Sequence, residues 1–551
     1  MKKILSIILC VAMLVSALSG CELLEFLAGL GGQMPVETVP AVTEPVNTDW
    51  EKHLVYELDQ AMIDAFYQQL EVTEDLAING PDWETVDAAT ELLDDAYLEL
   101  VDQYQIAYVL YCTEQSNQEL KDRYLYAMDV YTDAQFAYNE MARNTYQSDS
   151  PYIDQLFEDW TQEDIDMMLK HTEEVATLEK RNTEITVEYR DLPEFTREAD
   201  MIPLYNELVS NNNRIAQIYG YENYYEFGYK MVYSRDYEAE QMQLMRQYAA
   251  QYLPQICEAS INSFYSVFEN ISSQDYYLFD DLQWTDYDLL DTDYVAGYIA
   301  DLRGSTQENM QDMFDSDRVI FTDSSDAYEG AFTTFIDDEP FCYYGPGYQS
   351  TQTMIHELGH YYGGKFSESF SLPMDLCETQ SQGNEWLFIY YLRDHVSETL
   401  YQSLVEYKLA SEASNIVIYM LVDAFEELVY THENAGNLTA EEYDGLMAEA
   451  AELFGGIDYV MQNMGDVQNY WKIVVVESPV YYISYAVSSV ASINLFTMAE
   501  QDEEAARECY RKLIEEVDDT QGFLWHIEQA GLSGPFDETV YEDLAARYGI
   551  S

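Results

Sequence analysis

The sequence predicts a mainly α-helical chain with one small β-sheet. Three observations predict it. Apolar residues recur at helical spacing, long stretches run without Gly or Pro, and a single short region has strand composition. At 551 residues, with 48% hydrophobic and 14% aromatic side chains, the chain can bury a large core and is excluded from the disordered class.

The N-terminus reads as an address. Lys2 and Lys3 precede an apolar run from Ile4 to Leu18, the charged and hydrophobic parts of an export signal. The run is too short for a membrane-spanning helix. It ends in Leu18-Ser19-Gly20-Cys21, which resembles the lipobox of bacterial lipoproteins. That resemblance implies a signal peptide over 1–20, a lipid on Cys21, and a chain held outside the bacterial cell membrane by that anchor alone. Residues 21–48 carry Gly31, Gly32, Pro35, Pro40 and Pro45 with little periodicity, as a flexible tether does.

Order is expected from residue 49. Leu54, Leu58, Met62, Phe66 and Leu70 recur every fourth residue, one face of a helix. A long helix is expected over 84–115, which lacks Gly and Pro. Thr161 with Asp164, and Thr439 with Glu442, have the spacing of capping pairs. The strand-like region is Gly330 to Phe335, a turn at Ile336 to Glu339, and Pro340 to Tyr344. Gly345-Pro346-Gly347 ends it, and Ser350 or Thr351 can cap the helix that follows. Tyr481 to Phe496 is apolar but short and rich in Ser, so it reads as a buried helix. Cys112, Cys257, Cys342, Cys377 and Cys509 are widely spaced and odd in number, which argues against a disulfide framework.

Asp and Glu total 103 against 25 Lys and Arg, a net charge of −78. Such a surface repels nucleic acid, so no nucleic-acid partner is expected.

The chemistry begins at Thr353 to His360. His356 and His360 lie one helical turn apart and project from one face, where two imidazoles can share a tetrahedral ion. Glu357 beside them can take the proton of an attacking water. A catalytic zinc usually has a third protein ligand. A His ten positions past the first ligand is excluded, because Phe366 stands there. A Glu on a following helix is the other choice. Pro373 and Asp375 can start such a helix, on which Glu378 and Glu385 share a face. Glu368 and Asp375 are weaker candidates.

His356-Glu357-Leu358-Gly359-His360, followed by Glu378-Thr379-Gln380-Ser381-Gln382-Gly383-Asn384-Glu385, resembles the M3 zinc metallopeptidases, the oligoendopeptidase F and thimet oligopeptidase group. Gly330 to Thr334, Glu339-Pro340-Phe341 and Ser478 to Ala486 resemble further segments of that family. The resemblance implies a two-lobed helical zincin with a deep channel and a small sheet at the active site. Residues 49–300 would form part of the channel and 301–551 the catalytic region. It implies one zinc ion on His356, His360 and Glu378, with Glu385 orienting a ligand. Tyr482 and Tyr485 match the family's two oxyanion-facing tyrosines better than Tyr481 does. The family usually has a His shortly before these tyrosines; Lys472 to Val476 contains none.

The expected function is zinc-dependent endopeptidase action on short oligopeptides outside the cell membrane. The alternative is a lipid-anchored oligopeptide-binding protein. Binding alone does not require Glu357, and the chain has it.

Overall fold

The computed structural model describes residues 49–158, 160–192, 197–283, 292–367, 372–464 and 467–550. The expected signal peptide, Cys21 and tether lie outside the described residues.

Three long helices open the chain: α1 (Gln60–Asn79), α2 (Trp83–Thr113) and α3 (Gln118–Tyr146). The apolar series begins at Leu54, but α1 starts only at Gln60. The Asp59 carboxylate accepts the Ala61 and Met62 N–H groups there and fixes the helix start. The tyrosines of α2 and α3 face one another. Tyr97, Tyr104, Tyr108, Tyr111, Tyr124, Tyr131 and Tyr138 are all buried, and Tyr104 stacks on Tyr131 with centroids 5.0 Å apart. This aromatic core continues into the sheet through Phe332, Phe341 and Tyr343. The Tyr343 hydroxyl donates to the Cys112 carbonyl at 2.8 Å, fastening the end of α2 to the sheet.

The sheet has β1 (Val319–Phe321), β2 (Ala331–Ile336) and β3 (Glu339–Tyr344) in the order β1-β3-β2. β2 and β3 are antiparallel, with Thr333 opposite Cys342. Asp337 and Asp338 connect them at φ 55° and 58°, the left-handed pair that a tight two-residue hairpin needs. β1 pairs parallel to β3 and was not anticipated; three residues are too few for a periodic signal.

The long helix α4 (Ala239–Phe268) precedes the sheet, and α5 (Thr351–Gly364) follows it directly, capped by the Ser350 hydroxyl on Thr353 N–H at 3.0 Å. Next come α6 (Met374–Leu392), α7 (Glu398–Thr431), α8 (Ile483–Gln501) and α9 (Glu503–Glu515). α6 packs between α5 and α8, and α4 runs along α7. Both expected capping boxes form, at Thr161 with Asp164 and at Thr439 with Glu442. The largest core joins residues from Met167 to Ala545, on both sides of residue 300. α8 is buried within it as expected. Among the described residues no helix is long and apolar enough to cross a membrane. The five cysteines after the tether are free thiols, four of them buried.

Candidate active site

The site is set by how closely two helices approach. A Cβ on Gly359 would lie 2.6 Å from Ser381 Cα and 2.8 Å from the Gln380 carbonyl. Only glycine lets α5 meet the backbone of α6 at that point. The approach brings Glu378 of α6 to the histidines of α5. Its Oε2 lies 3.5 Å from His356 Nε2 and 3.5 Å from His360 Nε2. One ligand atom from each of the three residues falls within 4.8 Å of the others. Two imidazole nitrogens and one carboxylate oxygen form a donor set that fits a metal ion, and the structure brings together the three residues expected to hold it.

α6 is a polar helix inside a core, and its accounting is nearly complete. From Glu378 to Glu385 every residue is buried. The Thr379 hydroxyl donates to the Asp375 carbonyl at 2.7 Å and Gln380 Nε2 to the Leu513 carbonyl at 2.8 Å. The Ser381 hydroxyl donates to Glu378 Oε2 at 3.2 Å. Gln382 Oε1 accepts from Ser488 at 2.8 Å, and Asn384 Nδ2 reaches back to the Ile355 carbonyl on α5 at 2.7 Å. Burying such groups is costly unless they are paired, so the run holds one arrangement of the two helices.

Glu385 lies against His356. Its Oε1 lies 2.7 Å from His356 Nδ1, so it can fix the ring with Nε2 turned toward Glu378. Its other oxygen accepts from Gln352 Nε2 at 2.9 Å and from the buried Lys408 of α7 at 2.7 Å. Burial raises the Glu385 carboxyl, but Lys408 and the His356 hydrogen bond outweigh it and hold the group well below the usual range. Burial likewise opposes ionisation of Glu378, and His360 and His356 overcome it and keep it a carboxylate. Burial lowers His356 while hydrogen bonds to Glu378 and Glu385 raise it further; the net shift is upward. A bound cation would take the place of that proton.

Glu357 points to the sheet side of α5, where the Thr333 hydroxyl of β2 donates to its Oε2 at 2.7 Å. The tyrosine segment arrives from the opposite quarter. The Tyr481 hydroxyl donates to Glu378 Oε1, and the Tyr485 hydroxyl stands 3.3 Å from that of Tyr481. Tyr482 packs in the same ring cluster, 6.0 Å from Tyr419 and 5.8 Å from Tyr485. The sequence match favoured Tyr482 over Tyr481; in the structure it is the Tyr481 hydroxyl that meets the Glu378 carboxylate. The available signal was the spacing of four between Tyr481 and Tyr485, which sets their rings edge to face at a helix start.

Asp375 turns away from the histidines toward Arg235, 3.7 Å from its Nε. Glu368 lies outside the described residues. Two histidines away from this cluster bond elsewhere: His171 approaches Asn139 and Glu179, and His526 approaches the Gly522 carbonyl.

No family model matches the chain, and no curated protein matches its sequence. Solved structures do match. A Bacillus anthracis protein described as an oligoendopeptidase F aligns with a TM-score of 0.68 over 89% of this chain and 96% of its own, at 17% identity. PZ peptidase A, solved with an inhibitor, aligns at 0.68 over 90% and 98%, at 16% identity. Oligoendopeptidase F from Enterococcus faecium aligns at 0.54 over 89% and 96%, at 12% identity. This chain has the oligoendopeptidase F fold. In that fold the small sheet, α5 and α6 lie together at the cluster of His356, His360 and Glu378.

Proposed function

We propose that the chain is a zinc-dependent endopeptidase that cleaves short oligopeptides outside the cell membrane, to which Cys21 anchors it. The observation that carries this reading is the convergence of His356, His360 and Glu378 beside Glu357 on the same helix. The oligoendopeptidase F fold supports it.

His356, His360 and Glu378 would hold the zinc ion, which when bound would supply a Lewis acid for the scissile carbonyl and for water. Glu357 accepts the proton of the attacking water and returns it to the leaving amine. The Thr333 hydroxyl steadies that carboxylate. An extended peptide lies along the edge strand β2, which carries Thr333, in the manner of an added strand. Tyr485, with Tyr482 in the same cluster, offers a phenol to the developing oxyanion. Tyr481 orients Glu378.

The test is cleavage of a mixed set of quenched fluorescent peptides by the soluble 22–551 chain, with zinc, with chelator, and with Glu357→Gln. The expected result is chelator-sensitive turnover that falls about 10²–10⁴-fold in the variant while zinc stays bound. Bound zinc with no turnover of any peptide would favour the lipid-anchored oligopeptide-binding protein instead.

A further inference from the structure

The hydrogen bond from Tyr481 to Glu378 joins two elements that are far apart in sequence, and both of them rest on one buried side chain. Arg235 is fully buried, with its guanidinium 4.5 Å from the centroids of both the Tyr229 and Tyr233 rings. Its Nη2 donates to the Val480 carbonyl at 2.9 Å, the Tyr481 carbonyl at 3.2 Å and the Ser484 hydroxyl at 2.9 Å. Its Nε faces Asp375, which lies at the start of α6, three residues before Glu378. One planar cation therefore touches the backbone that carries Tyr481 and the helix turn that carries Glu378.

The tyrosine segment needs such a clamp. Val480 sits at φ 62°, a conformation that a β-branched residue adopts only when its surroundings impose it. Its N–H is held by the buried Glu426 carboxyl at 2.8 Å, and the Pro479 carbonyl accepts from Tyr233 at 2.8 Å. Tyr233 and Arg235 belong to one short stretch after the π-helical turn Gly228–Val232, so the clamp comes from the N-terminal half of the chain.

We propose that Arg235 is a positioning residue that sets the Tyr481 hydroxyl against Glu378, acting on the metal site chiefly through that tyrosine, since its side-chain hydrogen bonds all go to the tyrosine segment while Asp375 stands 3.7 Å off. The inference rests on the proposed zinc site. Lysine does not replace it, because a compact ammonium cannot hold a planar cation against the Tyr229 and Tyr233 rings while its donor reaches the tyrosine segment.

The test is a double-mutant cycle of wild type, Arg235→Lys, Tyr481→Phe and the double variant. Zinc affinity is measured by competition with a chromophoric chelator, and kcat and KM on a cleaved peptide. We expect each single variant to weaken zinc about 10-fold and to lower kcat by about the same factor with KM little changed. In the Tyr481→Phe background, Arg235→Lys should cost less than about twofold on either readout. Equal losses in both backgrounds, or no effect of Arg235→Lys on zinc or kcat, would overturn the inference. If wild type binds zinc but cleaves nothing, the peptidase reading falls and the affinity cycle alone decides this one. If the chain takes up no zinc, both fall. Should Arg235→Lys not fold, Ser484→Ala removes one of the three acceptors of Nη2 on the tyrosine segment and enters the same cycle.

Discussion

Lys408 sits where an ammonium needs strong compensation. Its Nζ lies 2.7 Å from Glu385 and 3.0 Å from Glu412, and the Ser489 hydroxyl closes the chain on Glu412 at 2.7 Å. Burial acts to lower the Lys408 pKa, and the two carboxylates more than reverse it. Without this cation, Glu385 and Glu412 would share a buried space as two carboxylates, and one would take up a proton. Protonated Glu385 is a poor acceptor for His356 Nδ1–H, so the ring would lose its orienting partner. Under the proposed function, Lys408→Met and Glu385→Gln are each expected to weaken zinc binding by about 10–100-fold. Chelator competition at pH 7 checks this, and unchanged affinity in both variants would refute the relay. Residues of this kind differ in how legible they were. His356, Glu357, His360, Glu378 and Glu385 sit within 30 residues of one another, where helical spacing expresses which side chains can meet. Lys408 and Arg235 act across elements, and no local pattern marks a charge whose partners lie elsewhere in the chain. The contact of Tyr481 with Glu378 was not legible, because it depends on where α8 begins.

Helix approach decides whether the site forms. A methyl on Gly359 overlaps the backbone of Ser381, which cannot rotate aside, so α5 and α6 must separate. Gly359→Ala is expected to destabilise the fold by about 1–3 kcal/mol and, under the proposed function, to weaken zinc binding by moving Glu378 away from the histidines. Gly445 provides the contrast. It lies exposed in the helix Ala440–Ala450, and a Cβ there meets nothing within 4 Å. Gly445→Ala should stabilise by about 0.4–1 kcal/mol with zinc affinity unchanged. Denaturant melts and chelator competition on both variants check the pair; equal effects would refute a special role for the α5–α6 contact. Among the elements, α2 was legible from its Gly- and Pro-free length and the hairpin from its composition. The start of α1 was not, because Asp59 ends the extended segment inside an unbroken apolar series. The closeness of α5 and α6 was not legible either: the sequence displays Gly359 but not the backbone it faces.

Charge acts over the whole molecule. With 103 acidic and 25 basic residues, most carboxylates have no cation to pair with, and the chain carries a field of one sign. Among the described residues many of the few cations hold ion pairs, and Arg190, Arg235 and Lys408 hold theirs inside the fold. Composition makes this imbalance readable at once, but not the way buried cations are spent on the site, which only the assembled fold shows. Under the proposed function, the field should draw cationic peptides toward the protein and repel acidic ones before any contact forms. The effect belongs to encounter, so it should appear in kcat/KM and leave kcat nearly unchanged. It should also fade with salt, since the screening length shortens from about 30 Å at 0.01 M to about 3 Å at 1 M. A Lys-rich peptide should therefore exceed a Glu-rich peptide of the same cleaved bond by about 10-fold or more in kcat/KM at 0.01 M salt, with the ratio approaching one near 1 M. A ratio that stays constant across that range would place the preference in short-range contacts of the cleft. Equal cleavage of the two peptides at low salt would remove the electrostatic preference altogether.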